Sequence, residues 1–310
     1  MEAKATKTKV KNKIRKESPG ERIFDVFNVI FLVAVSVVAI YPLWHVICAS
    51  FSNPSIVAKT TGTILYPMNA QGGFGATIAA YTQMWTHPLL STAYINSIGI
   101  VVVGTTLNII MTSICAYVLS REGTMLKKPF TLFIMFTMFF GGGMIPSYLL
   151  IVNVLHLHNS IWSLILPGAI STYNLIIMKT NFMAIPDSLE ESAEIDGASD
   201  WTVFSRIIIP LSKPVIAVMV LYYGVAHWNS WFNAMLYIDD TTKYPLQLVL
   251  REILILNSTN DMTADAGDVY ALAQTIKYST IIVATLPILC MYPFIQKYFI
   301  KGMLVGAVKG

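Results

Sequence analysis

The sequence predicts an all-helical membrane protein with six transmembrane helices. Of its 310 residues, 55% are hydrophobic and only 12% are charged, about half the charged fraction of a typical soluble domain. The apolar residues occur in runs of about 20 or more, which is long enough to cross a bilayer as a helix. Because these runs lack the polar-apolar alternation of a barrel strand, we expect helices.

Six apolar segments are predicted as spans. They are roughly residues 23–49, 92–119, 130–155, 161–183, 207–232 and 276–300. The first run is too long for a cleaved signal and no small-x-small site follows it, so we expect an uncleaved span. In the third, three glycines and Pro146 interrupt the apolar run. This interruption predicts a bend that lines a cavity, a close helix contact or a packing kink.

The Lys and Arg residues indicate the orientation of the spans. With the N-terminus inside, 17 of the 21 basic residues fall on the cytoplasmic side and 4 on the outer side. Basic residues near span ends are retained in the cytoplasm, so both termini are predicted to lie there. The N-terminal Lys run is interpreted as an orientation signal against anionic lipid rather than a nucleic-acid contact.

This orientation defines the domain organisation. A basic cytoplasmic tail (1–22) precedes a single membrane domain (23–303), which ends in a short cytoplasmic tail (304–310). Two outer loops, about 50–91 and 233–275, either cap a transport path or contact an extracytoplasmic partner. The polar interruption 186–210 faces the cytoplasm.

The interruption is predicted to form two short helices. Ser188 lies three residues before Glu191, the spacing of a capping box. A first helix is expected from about Leu189 to Asp196 and should end at Gly197, which can adopt the left-handed conformation. Ser199 or Asp200 is expected to cap a second helix. A structured element of this kind favours docking of a partner over a simple link.

These residues resemble the EAA loop of ABC importer permeases, whose pattern is Glu-Ala-Ala, Gly and then Ile-x-Leu-Pro. The chain has Glu191-Ser192-Ala193, then Gly197, then Ile207-x-Ile209-Pro210, with two substitutions that are conservative in size. The extended motif is similar to carbohydrate importer permeases of the maltose type. The segments beginning at Phe140, His227 and Tyr244 look like the oligosaccharide permease subgroup named after lipoproteins of Bacillus.

The resemblance implies a type I ABC importer permease with a cytoplasmic coupling helix, multi-pass in the cell membrane. Expected partners are a homologous second permease, two ATPase subunits and an extracytoplasmic sugar-binding lipoprotein that delivers a complex oligosaccharide. Glu191 would face a basic residue of the ATPase, with Ala193 and Gly197 allowing close packing. The implied coupling residues are Glu190, Glu191, Ser192, Ala193, Asp196, Gly197, Ala198, Phe204, Ile207 and Pro210.

The chain itself is expected to be a transporter subunit and not an enzyme. It has no Gly-x-x-x-x-Gly-Lys-Ser/Thr sequence, so ATP and Mg²⁺ are expected on the partner ATPase, with no cofactor on this chain. His156 and His158 lack further close ligands, so no metal site is expected. No nucleophile or zinc motif for an intramembrane enzyme is present.

Candidate sugar contacts combine aromatic rings with amide groups. The candidates near the middle or outer half of the spans are Tyr148, Tyr173, Asn174, Tyr223, Trp228 and Asn229. Each is more often a packing or interface residue, and the partner permease is an alternative source of sugar contacts. An importer permease for amino acids or metals stays open as an alternative. An ion-coupled secondary transporter is disfavoured because the spans contain hardly any acidic residue.

Overall fold

The computed structural model describes residues 18–60, 62–86, 89–121, 123, 125–260, 275–291, 293 and 296. The N-terminal tail to residue 17, the acidic part of the second predicted outer loop and the C-terminal tail lie outside the described residues. The last predicted span is described as far as Met291, and beyond it only at residues 293 and 296.

Two helices match predicted spans as single, uninterrupted elements. Helix α1 is Pro19–Ser50 and helix α4 is Leu90–Ser120. Ser18 caps α1 through a capping box with Glu21, and the helix continues through Pro42. Most of α1 is exposed, and only its last residues from Cys48 to Ser50 are buried. Its apolar surface is therefore available to lipid or to another subunit.

The third and fifth predicted spans are bent rather than straight. Helices α5 (Lys127–Phe139) and α6 (Met144–Leu149, continued by a π-turn at Leu150–Val154) meet at 115°. Gly143 at this break has φ +83°, and a Cβ on Gly141 or Gly143 would meet nothing within 4 Å. Gly143 therefore serves backbone conformation, and no close contact with a described residue accounts for Gly141 or Gly143.

The fifth predicted span is redirected near Ser212. The stretch Asp200–Leu211 makes an angle of 81° with α12 (Lys213–Trp228), which has Pro214 in its first turn. Ile207 therefore belongs to the polar element 186–210 and Phe232 begins a separate helix, so the predicted span 207–232 is corrected to α12.

The fourth predicted span is also divided. Helix α7 (Trp162–Ile165) passes into a 3₁₀ turn at Leu166–Gly168, and α8 (Thr172–Met183) follows after a break. Pro167 cannot donate a helical hydrogen bond, which accounts for the interruption. Among the described residues, two helices are long and apolar enough to cross a membrane alone, or up to four if each bent pair counts as one span. The predicted number of six is therefore not reproduced by length and composition.

Most of the remaining helices are short or lie in the predicted outer loops, and the last of them covers the described part of the sixth predicted span. They are α2 (Pro54–Lys59), α3 (Ala79–Trp85), α9 (Ser188–Ile195), α10 (Asp200–Val203), α11 (Ile209–Leu211), α13 (Phe232–Tyr237), α14 (Leu246–Asn260) and α15 (Thr275–Met291). Both predicted outer loops thus contain helices.

Helix α4 is the centre of the packing. It makes its most extensive contacts with α12 and α8. A polar strip on α4 faces these neighbours: the Asn108 side-chain amide donates to the carbonyls of Gly168 and Ala169, and the Asn108 Oδ1 pairs with His227 Nε2 at 2.7 Å. These bonds satisfy carbonyls that the break between α7 and α8 leaves open.

Candidate coupling site and transport path

The element 186–210 has the two helices that the sequence predicts. Helix α9 starts at Ser188 and ends at Ile195, one residue earlier at each end than expected. The predicted capping box is absent, because Asp187 occupies the N-cap position without a side-chain bond and Ser188 is already helical. Glu190 and Glu191 lie in the first turn, where negative charge complements the helix dipole.

Gly197 ends α9 as predicted. It has φ +80°, its N–H donates to the Glu194 carbonyl, and the Ala198 N–H donates to the Ala193 carbonyl, both at 2.9 Å. This pair of bonds is a Schellman motif, which needs a residue in the left-handed conformation. The chain then enters α10 directly, with Ser199 accepting from the Thr202 N–H at 3.4 Å.

A polar anchor ties α9 to the end of α4. Glu190 accepts a hydrogen bond from the Tyr117 hydroxyl at 2.9 Å and forms an ion pair with Arg121. The side chains of Glu190 and Arg121 are each only 15% exposed. Arg121 also donates to the Phe182 carbonyl at 3.3 Å and lies 3.7 Å from Asp187. The sequence analysis missed this anchor, since it placed Glu190 on the docking surface.

The implied coupling residues divide into an inward and an outward set. Ala193, Ala198, Phe204 and Ile207 pack on the chain's own core, which contains Phe182, Val203 and Met219. Ala193 therefore provides close packing inside this chain. The outward, exposed residues are Glu191, Ser192, Asp196, Gly197 and Pro210.

Two large apolar side chains also point outward from the element. Ile195 is 86% exposed and Trp201 is 64% exposed. Exposed apolar groups beside charged ones are a common feature of a protein contact surface. Both residues lie within the segment 186–210, but residue type alone does not distinguish an exposed apolar side chain from one in the core. We define the exposed residues Glu191, Ile195, Asp196 and Trp201 as the coupling surface.

An acidic groove of about 510 Å³ lies between the coupling surface and α4. Its lining residues are Tyr117, Val118, Arg121, Gly123, Asp187, Glu190, Glu191, Glu194 and Asp200. Five carboxylates face one guanidinium, and that guanidinium is already paired with Glu190. The groove is therefore suited to a basic group from another protein.

The structure does not bring the six predicted transport-path residues together. Tyr223 is buried, with its hydroxyl 2.7 Å from Thr112 Oγ1 and accepting from the Ser171 N–H. Trp228 is buried and donates to the Ala284 carbonyl at 3.0 Å. Tyr148 stacks on Tyr237 with ring centroids 5.9 Å apart. These three residues have structural contacts within the chain.

The other three candidates line open grooves. Tyr173 and Asn174 lie in one groove of about 490 Å³, together with Tyr222, which the sequence analysis did not select. Asn229 lies in a second groove of about 490 Å³, with Trp231 and Arg251. These three candidates thus lie in two separate grooves, and their contact with sugar stays a prediction.

No group of three His, Cys, Asp or Glu residues that could hold a metal occurs in the described part of the chain. His158 lies 3.5 Å from Asp239, and His156 has φ +52° in the same turn. The three cysteines are free.

Comparison with known proteins identifies the class of protein to which this fold belongs. The family model of the binding-protein-dependent transport system inner membrane component matches residues 108–305. The chain belongs to this family of ABC transporter permeases, which are membrane transport subunits. The matched region contains the whole element 186–210.

Two proteins of Bacillus subtilis (strain 168) are similar along most of their length. Protein LplC is 44% identical over 293 residues, covering 93% of this chain and 96% of LplC. The polygalacturonan/rhamnogalacturonan transport system permease protein YtcP is 41% identical over 292 residues, covering 93% and 99%. The similarity therefore extends well beyond the EAA-like motif.

A solved structure has the same architecture. A chain of a bacterial ABC transporter involved in the import of the acidic polysaccharide alginate superimposes with a TM-score of 0.81 at 28% identity, covering 91% of this chain and 99% of that chain. A chain of the alginate transporter in complex with its pentasaccharide-bound periplasmic protein matches with a TM-score of 0.55 at 13% identity. The second match supports the fold alone.

Proposed function

We propose that this chain is the permease subunit of an ATP-driven importer for a complex oligosaccharide, which an extracytoplasmic binding protein delivers. A homologous second permease completes the path, and two ATPase subunits bind and hydrolyse ATP with Mg²⁺. Similarity over more than nine tenths of the chain to a polygalacturonan/rhamnogalacturonan permease favours this solute class over amino acids and metals. The six-span arrangement with both termini in the cytoplasm is part of the proposal.

The observation that supports the proposal best is the coupling surface and the anchor beneath it. Ile195 and Trp201 offer apolar contacts to an ATPase, and the acidic groove offers carboxylates to its basic residues. Glu190 transmits displacement of α9 to α4 through Arg121 and Tyr117. Because Phe204 and Ile208 of the element share a buried core with residues of α8 and α12, the same movement reaches those helices.

In this mechanism, closure of the ATPase dimer shifts the equilibrium between inward-open and outward-open arrangements. The bends at Gly143 and Ser212 are the positions where helix segments change direction and can change angle. This chain's part is positioning and force transmission, since it has no nucleotide-binding motif.

A substitution at Ile195 tests the proposed docking. The complete importer, with its ATPase and binding protein, is reconstituted in proteoliposomes and uptake of a labelled oligosaccharide is measured with and without ATP. We expect Ile195→Asp to reduce ATP-driven uptake at least about tenfold, because a charge enters an apolar contact. Met125 is 88% exposed on the same predicted side but outside the coupling surface, so Met125→Asp is the matched control.

Three outcomes would contradict the proposal. Equal uptake by both variants and the unsubstituted importer would refute the coupling surface. Uptake that persists without ATP and collapses with an uncoupler would support the ion-coupled alternative. Tight binding of amino acids but not oligosaccharides by the partner binding protein would exclude the proposed solute class.

A further inference from the structure

The groove around Arg251 is distinct from the coupling surface and has unusual polar chemistry. It lies between the end of α12, α14 and α15, and its volume of about 490 Å³ is within the usual range for a small-molecule site. The lining residues are Asn229, Trp231, Gln247, Leu250, Arg251, Thr280, Ile281, Ala284, Thr285 and Ile288. Polar groups thus share the groove with an apolar wall from α15.

Arg251 is held in place without a carboxylate. Its guanidinium carbon lies 4.3 Å from the centroid of the Trp231 ring, and Nη1 donates to the Met235 sulfur at 3.1 Å. Trp231 in turn packs against the buried cluster that includes Ala234 and Leu248. Within the part of the chain that the structure describes, no carboxylate is within ion-pair distance of Arg251. The Trp231 ring therefore orients the guanidinium of Arg251, which is always charged, while most of its N–H donors stay available to a ligand.

One neutral polar group of the groove also lacks a hydrogen-bond partner among the described residues. The Thr280 side chain is 1% exposed, and its Oγ1 makes no hydrogen bond in the described residues. The side-chain amides of Asn229 and Gln247 line the same groove. Buried hydroxyl groups in native proteins are nearly always hydrogen-bonded, so an orphan Thr280 hydroxyl at a groove indicates a missing acceptor or donor.

We propose that this groove binds a carboxylate-bearing sugar unit of the transported oligosaccharide, that is, a uronic acid residue. A guanidinium fork pairs with a carboxylate through two parallel hydrogen bonds. Asn229, Gln247 and Thr280 match the sugar hydroxyls, while Ile281 and Ile288 match its apolar face. The inference rests on the proposed import of oligosaccharides and narrows their class to acidic ones.

The test compares one charged probe with its neutral form. The complete importer in proteoliposomes is supplied with labelled trigalacturonate or with its carboxyl-methyl ester, which has the same length and ring stereochemistry but no charge. We expect Arg251→Gln to reduce kcat/KM for trigalacturonate uptake at least about tenfold, mainly through KM. Uptake of the methyl ester should change less than about twofold, which also shows that the variant folds and couples.

A matched variant controls for net charge. Lys59→Gln removes one positive charge from an exposed position on α2, which does not line the groove. We expect its uptake of both probes to equal that of the unsubstituted importer. The ratio between variants cancels the selection made by the binding protein, because every variant receives sugar from the same protein.

The other outcomes overturn the inference and are distinguishable. If the unsubstituted importer takes up the methyl ester or other neutral oligosaccharides but not trigalacturonate, acidic specificity fails while oligosaccharide import stands. If Arg251→Gln lowers uptake of both probes equally, Arg251 has a structural role. If no oligosaccharide of either kind is transported, the proposed function fails and this inference fails with it.

Discussion

Removal of the Glu190 carboxylate should loosen the coupling element without changing its outer surface. Glu190 is the acceptor for both the Tyr117 hydroxyl and the Arg121 guanidinium, and it is 15% exposed. Glu190→Ala therefore leaves Arg121 largely buried beside a cavity. Glu191 is adjacent, exposed and lines the acidic groove, so Glu191→Ala is a matched control.

The magnitude follows from the contacts that are lost. Breaking a fully buried ion pair by removing one partner costs about 3–5 kcal/mol. Here Asp187 lies 3.7 Å from Arg121 and replaces part of the lost interaction, and both side chains keep some contact with water. We therefore expect a local cost of about 2–3 kcal/mol, which corresponds to a roughly 30- to 150-fold change in an opening equilibrium.

Hydrogen exchange with mass spectrometry measures this opening directly. In nanodiscs, the amides of the segment 188–197 should exchange about 30- to 150-fold faster in Glu190→Ala than in the unsubstituted protein. Glu191→Ala should leave exchange unchanged and weaken association with the ATPase instead. Unchanged exchange in Glu190→Ala would refute the anchor, and equal acceleration in both variants would show that the effect is not specific to the Arg121 pair.

Three further predictions concern single positions. Gly197→Ala should weaken the end of α9 by about 1–2 kcal/mol because φ is +80°, whereas Gly197→Asn should cost less. Hydrogen exchange at the Ala198 amide distinguishes the two variants, and equal effects would contradict the reasoning. A Cβ on Gly104 would lie 2.6 Å from the His227 ring nitrogen, so Gly104→Ala should destabilise the protein by about 1–2 kcal/mol. At Gly224 the nearest atom to such a Cβ is 3.8 Å away, so Gly224→Ala should be neutral or slightly stabilising. Thermal unfolding in detergent tests the two variants, and equal melting temperatures would contradict the prediction. Tyr223→Phe removes the bonds to Thr112 and the Ser171 N–H and should cost about 1–3 kcal/mol in the same assay, so an unchanged melting temperature would argue against those bonds.

Features that depend on neighbouring residues could be predicted well from the sequence. The end of α9 at Gly197 and the cap at Ser199 depend on a few adjacent positions, and both are confirmed. The interruption before Pro146 was also visible, because glycine and proline act on their own backbone. The capping box at Ser188 failed because Asp187 adopts the N-cap position, a choice between adjacent residues that spacing alone does not decide.

Features that join distant parts of the chain were not predicted. Arg121, the partner of Glu190, is 69 residues away from it in the sequence. Arg251 on α14 contacts Trp231, which directly precedes α13. The transport-path candidates were selected by residue type, which does not distinguish a buried, satisfied tyrosine such as Tyr223 from an exposed one such as Tyr173. That difference depends on which helix packs against each ring.

The sequence by itself determined the membrane class, the helical backbone and the position of a two-helix element between two apolar runs, because hydropathy and short-range backbone preferences are local properties. Only the tertiary structure decided that the third and fifth apolar runs bend by 115° and 81°, because a run of apolar residues specifies length and not direction. Only it also assigned Glu190 to an internal anchor and Glu191 to the surface, since the two carboxylates differ in their neighbours and not in their chemistry.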